Sequence, residues 1–209
     1  MTQWLAYKSM KISVLAALLA PFAASGALAQ SAGAAPSSPA LERPALVSAM
    51  DECETGAREG VLTGRALGAC DVALRSDALS EPVRARVLVN RAVIALKRNE
   101  AGPARSDLEE AVRLAPELPE AWLSLSAARI KARDLSGAVQ AANRALELEV
   151  SEPALAHFNI GVAEETAGRY DPAYAAYLQA AELAPDDALL KAQPARFLRH
   201  QATSAQPAG

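Results

Sequence analysis

Few residues in this 209-residue chain have the type and the neighbours that chemistry requires. Its two histidines, His157 and His200, lie far apart, and the pattern sets no nucleophile or acid beside either. A general-base role for them is not expected. Cys53 and Cys70 do not form a C-x-x-C pair, and no nearby histidine completes a zinc set. Glu109-Glu110 and Glu164-Glu165 are adjacent carboxylates. On a helix such neighbours point about 100° apart, so they read as solvated faces rather than an acid–base pair. No phosphate-binding glycine loop and no nucleophile elbow occur. The expectation is a chain with no catalytic residue, no metal and no cofactor.

What must be positioned is therefore a surface, and composition says which elements build it. Hydrophobic residues make up 51% of the chain but aromatic residues only 4%, so its cores must be made of alanine and leucine. Alanine costs least in a helix and lets helix backbones approach each other. Strand-like alternation of Val, Ile and Thr is absent, and the expected class is all-α. Lysine and arginine are scattered along the chain without clustering, which excludes a nucleic-acid footprint. The net charge of −3 suits a soluble surface.

Residues 1–29 read as a secretory signal peptide. Lys8 and Lys11 precede an apolar run, Ile12 to Ala24, and Ala27-Leu28-Ala29 fits the small-x-small cleavage rule. An uncleaved anchor would need about 20 uninterrupted apolar residues, and Pro21, Ser25 and Gly26 interrupt this run. Export to the periplasm, or secretion, with no membrane span after cleavage, is the expectation. Residues 30–43 are small, polar and proline-containing, as in a flexible linker.

A period organises the rest. Ala111–Pro116, Ala145–Val150 and Ala180–Pro185 align with starts 34 and then 35 residues apart. An alanine lies seven residues before each start, at Ala104, Ala138 and Ala173. Helix-start signals stand just ahead, at Gly102-Pro103, Ser136-Gly137 and Asp171-Pro172, and a second set at Ser80-Glu81-Pro82, Pro119 and Ser151-Glu152-Pro153. Each period is thus two helices joined by a tight turn. In this arrangement the chain resembles the tetratricopeptide repeat family. Ala92, Ser126 and Gly161 occupy the small position of the first helix, and Ala104, Ala138 and Ala173 that of the second. Val150 replaces the usual terminal proline, and Ala95, Arg129 and Glu164 stand where a tyrosine is common.

The resemblance implies a right-handed α-solenoid with units at about 85–118, 119–153 and 154–187, within residues 81–186. Extending the register upstream makes residues 44–80 a degenerate first hairpin, with Ala66 and Ala73 at the alanine positions and a turn near Gly60 and Gly64. That register sets Cys53 and Cys70 on facing arms, and an oxidising compartment would join them. Such a staple contributes about 3 kcal/mol in the chain-entropy picture. At the other end, residues 187–202 are expected to form a capping helix. Leu189, Leu190, Phe197 and Leu198 would be buried in it, Pro194 would kink or break it, and 203–209 would be a disordered tail.

By the same resemblance, the first helix of each unit lines a concave groove. Its residues are Arg86, Val89, Val93 and Leu96, then Glu120, Leu123, Ala127 and Ile130, then Leu155, Phe158, Val162 and Glu165. An aliphatic groove suits an amphipathic helix or an extended apolar segment of a partner protein, unless the terminal helix folds back and fills it. Aspartate at Leu123 or Phe158 would abolish capture without unfolding. The expected role is a non-enzymatic scaffold or adaptor of the periplasm or cell envelope. The alternatives are a self-associating structural module, possible as a homo-oligomer, and an accessory subunit of an envelope enzyme complex.

Overall fold

The computed structural model describes residues 43–60 and 64–204, with side chains to Gln201. The expected leader at 1–29, nearly all of the linker and residues 205–209 lie outside the described residues. The described residues form nine helices and no strand. In order they are α1 (Arg43–Glu59), α2 (Gly64–Leu74), α3 (Glu81–Lys97), α4 (Ala101–Leu114), α5 (Pro119–Lys131), α6 (Leu135–Glu147), α7 (Pro153–Thr166), α8 (Tyr170–Leu183) and α9 (Ala188–Ser204). Successive helices pair as hairpins, α1 with α2 through α7 with α8, and α9 packs on α8. First helices stack side by side, α1 on α3, α3 on α5 and α5 on α7, which makes the array an α-solenoid.

One turn recurs at the tips of the hairpins. After α3, the amide of Glu100 donates to the carbonyl of Ala95 and that of Asn99 to Leu96. After α5, Asp134 donates to Arg129 and Arg133 to Ile130; after α7, Arg169 donates to Glu164 and Gly168 to Glu165. These are Schellman closures, which require a left-handed residue just past the helix. Asn99 (φ 66°), Arg133 (φ 64°) and Gly168 (φ 76°) fill that place. Because the turn is so short, the second helix begins two residues earlier than its sequence signals suggest. Gly102-Pro103, Ser136-Gly137 and Asp171-Pro172 are the second and third residues of α4, α6 and α8, not their caps. The cap before α6 is Asp134, whose carboxylate accepts from the amide of Gly137 at 3.1 Å.

Small residues set how closely the helices approach. Ala92, Ser126, Ala104, Ala138 and Ala173 are buried. A Cβ placed on Gly161 would sit 2.7 Å from the Tyr177 ring, so α7 and α8 touch where α7 has no side chain. Gly56 of α1 meets Ala66 of α2 in the same way. Arg129 and Glu164, at the position where the repeat usually has tyrosine, each pair with the residue five further on. Arg129 faces Asp134 at 3.6 Å, and Glu164 binds Arg169 with the charges exchanged.

Cys53 and Cys70 are joined in a disulfide, with Cα atoms 4.8 Å apart. Both are fully buried in the cluster that α1 and α2 share with α3. The terminal helix departs from expectation. Leu190 and Phe197 are buried, but Leu189 is 43% and Leu198 51% exposed. They flank the buried stripe, and no described helix covers them. Pro194 lies inside α9 without breaking it, and the helix runs through Ser204, into the segment read as tail.

Two substitutions test this account of the turns and contacts. Gly161→Ala is expected to lower stability by about 1–3 kcal/mol, the usual cost of overpacking a filled core, read from urea unfolding midpoints. Arg133→Gly is expected to raise stability by up to about 1 kcal/mol, because glycine adopts positive φ without Cβ strain. An unchanged or lowered melting temperature would contradict that.

Candidate functional site

The residues assigned to the groove fall into two environments. Val89, Val93 and Leu96 of α3 are buried in the cluster that includes Leu46, Ala49 and Ala57 of α1. Only Arg86 is exposed on that helix's share of the groove. Leu123 is 2% exposed and Val162 is buried as well. Aspartate at Leu123 would therefore place an unpaired charge in the core and unfold the repeat, so the expectation that it would spare the fold is corrected. Glu120, Ala127, Ile130, Leu155, Phe158 and Glu165 are half-buried. The accessible apolar floor thus lies on α5 and α7, around Ile130, Leu155 and Phe158.

The C-terminal end of this floor is closed by α9. Phe197 packs among Tyr170, Tyr174 and Tyr177 of α8, with ring centroids 6.2, 5.8 and 5.9 Å away. Phe158 lies 6.0 Å from Tyr177 on the groove side. Arg196 reaches back across the groove and donates to both carboxylate oxygens of Glu165, at 2.7 and 3.3 Å. Its guanidinium also sits 5.5 Å from the centre of the Tyr177 ring. The Tyr177 hydroxyl donates to Glu165 at 2.6 Å. Burial, then the bond to Glu165, pushes the Tyr177 hydroxyl well above its ordinary range and keeps it a neutral donor. Burial alone would raise the Glu165 carboxyl, but the bonds from Arg196 and Tyr177 outweigh it and hold it below its ordinary value. Sequence reasoning missed Arg196, although it stands 34 residues after Val162 and so at the next groove position.

Charge is distributed unevenly along the first helices. Their starts carry Glu81, Glu120 and Glu152, and α3 and α5 end on Lys97 and Lys131. In α3 and α5 each sign stands at the helix end that favours it. Lys97 donates to the carbonyl of Ala57 at 2.6 Å, and Lys131 to the Asn99 side chain at 3.0 Å, so each repeat is tied to the one before. Burial lowers both lysines. The Glu152 carboxyl is raised, first by burial and then by the nearby charge of Glu120. Outside the groove, Arg91 of α3 binds Asp107 of α4 at 2.7 and 2.8 Å and Asp71 of α2 at 2.7 Å, clamping the first two hairpins together.

His157 is half-buried, and that burial lowers its pKa. Among the described residues, no group of three His, Cys, Asp or Glu side chains is placed to hold a metal ion. No described helix is long and apolar enough to cross a membrane.

Helical hairpins stacked through small residues, with a groove lined by their first helices, define a repeat solenoid that presents surface for contact with other proteins. The tetratricopeptide repeat family model matches residues 154–187, the hairpin of α7 and α8. None of the curated proteins matches the sequence. Among solved structures, the chain is similar to the MamA protein, with a TM-score of 0.60 and 20% identity over 76% of this chain and 83% of that one. It is also similar to a chain of the APC/C hetero-tetramer Cut9–Hcn1, with a TM-score of 0.65 and 20% identity over 77% of this chain and 31% of that one. At this identity the likeness is one of fold.

The Glu165 site predicts an acid response. A carboxyl held below its unfolded value adds stability that is complete above about pH 4.5 and is lost as pH falls through its lower folded value. Glu165→Gln should therefore lower the melting temperature at pH 7 and flatten its fall on acidification. A parallel decline in both proteins would contradict the assignment.

Proposed function

We propose that this protein is a non-enzymatic scaffold or adaptor of the periplasm or cell envelope that holds a segment of a partner protein in the groove of α5 and α7. The single observation that carries this reading is the apolar floor at Ile130, Leu155 and Phe158, left half-buried while the groove residues Val89, Val93, Leu96, Leu123 and Val162 are buried. A helix or extended chain laid across it would remove that surface from water, at about 25 cal/mol per Å². Support for the compartment comes from Lys8, Lys11, the apolar run after them and Ala27-Leu28-Ala29. The Cys53–Cys70 disulfide fits an oxidising location.

Self-association is a second reading, favoured by the exposure of Leu189 and Leu198 on α9 where the array ends. Light scattering on the purified protein separates the two, since a monomer leaves the groove reading in place.

Affinity capture from a periplasmic extract tests the first reading. Phe158→Asp is expected to lose the partner while keeping the helical circular dichroism of the parent. Partner recovery equal to that of the parent would place the binding surface elsewhere.

A further inference from the structure

The charged groups beside the apolar floor narrow the chemistry of what it can hold. Glu120, at the start of α5, and Glu152, at the cap of α7, belong to adjacent first helices and are both half-buried. The Glu152 carboxyl feels the Glu120 charge. Neither makes an ion pair with a described residue, and Arg86, at the matching position of α3, makes none either. The other end of the floor is different, because there Glu165 is already satisfied by Arg196 and Tyr177. The groove thus has one end with neutralised charge and one end with two like charges that lack a cation.

We infer that the occupant is a partner segment in which a lysine or arginine is followed by an apolar turn. Its cation would sit between Glu120 and Glu152, and its apolar side chains would cover Leu155, Phe158 and Ile130. This rests on the groove reading above and deepens it. A cation between the two carboxylates relieves their mutual repulsion and gains two charge-assisted hydrogen bonds. An acidic segment would add a third negative charge in a half-buried place and be rejected. The arrangement also gives the segment a direction, since only one end of the floor attracts a cation.

Three synthetic peptides decide it, each an amphipathic 16-residue helix of leucine, alanine and glutamine. They would carry two lysines, two glutamates or two norleucines at the N-terminal end. Fluorescence anisotropy with the purified protein at low salt is expected to rank lysine first and glutamate last, with lysine at least about tenfold tighter than norleucine. The double variant Glu120→Gln, Glu152→Gln should bring the lysine and norleucine peptides to equal affinity while leaving norleucine binding unchanged. Phe158→Asp, or Leu155→Asp should the first lose its fold, should weaken all three. Equal binding of the lysine and norleucine peptides that is still sensitive to Phe158→Asp would overturn this inference and spare the groove. Binding insensitive to both groove substitutions would overturn the groove reading too. A protein that sediments as a dimer and is not dissociated by the lysine peptide would give the floor to a second copy and overturn the inference.

Discussion

The solenoid depends on one constraint, namely that paired helices meet where at least one of them has almost no side chain. Gly56 against Ala66 and Gly161 against Tyr177 are two such places, where an added Cβ would fall 2.4 and 2.7 Å from the facing side chain. Ala92 and Ser126 hold the position of Gly161 in the preceding hairpins and are fully buried. Ser126 also turns the constraint into a link between repeats, since it donates to the carbonyl of Leu123 at 2.7 Å and accepts from Asn159 at 2.6 Å. Close approach brings the neighbouring first helices side by side, and that lateral stacking creates the groove. A larger residue at any of these points would push apart two helices and, through them, the next hairpin.

The first and last described hairpins each have a described repeat on one side only, and they are secured by different means. At the first described hairpin the Cys53–Cys70 disulfide joins α1 to α2. The Arg91 clamp to Asp71 and Asp107 then ties that hairpin to the second. At the last repeat, α9 brings Phe197 onto three tyrosines of α8 and Arg196 onto Glu165. Aromatic residues are scarce in the chain, and most of the tyrosine and phenylalanine is gathered at this end. Large flat side chains cover an exposed helix pair where alanine would leave a gap.

These end devices also shape the surface available to a partner. The hairpin stapled by the disulfide shares a core with Val89, Val93 and Leu96, which removes the first third of the groove from solvent. The contacts of α9 close the far end around Glu165. What stays accessible is a short apolar floor on α5 and α7, with Glu120 and Glu152 left without ion pairs among the described residues at its start.

Much of the fold was legible from one period. Ala104, Ala138 and Ala173 mark the second helices because alanine spacing reflects contacts inside a hairpin, which are local in sequence. The Cys53–Cys70 pair was readable for the same reason, both arms belonging to one hairpin. The order of helices and the sites of close approach therefore followed from residue types alone. Which groove residues remain accessible did not, because that is settled by helices about 34 residues or more away: α1 beside Val89, α7 beside Leu123, α9 beside Val162. Leu189 and Leu198 looked like core residues and are exposed, because no described helix packs over them. Residue types along the chain determined the repeat and its tight contacts; the tertiary structure alone decided what stayed open, since burial is a property of neighbours and the period does not say where the neighbours stop.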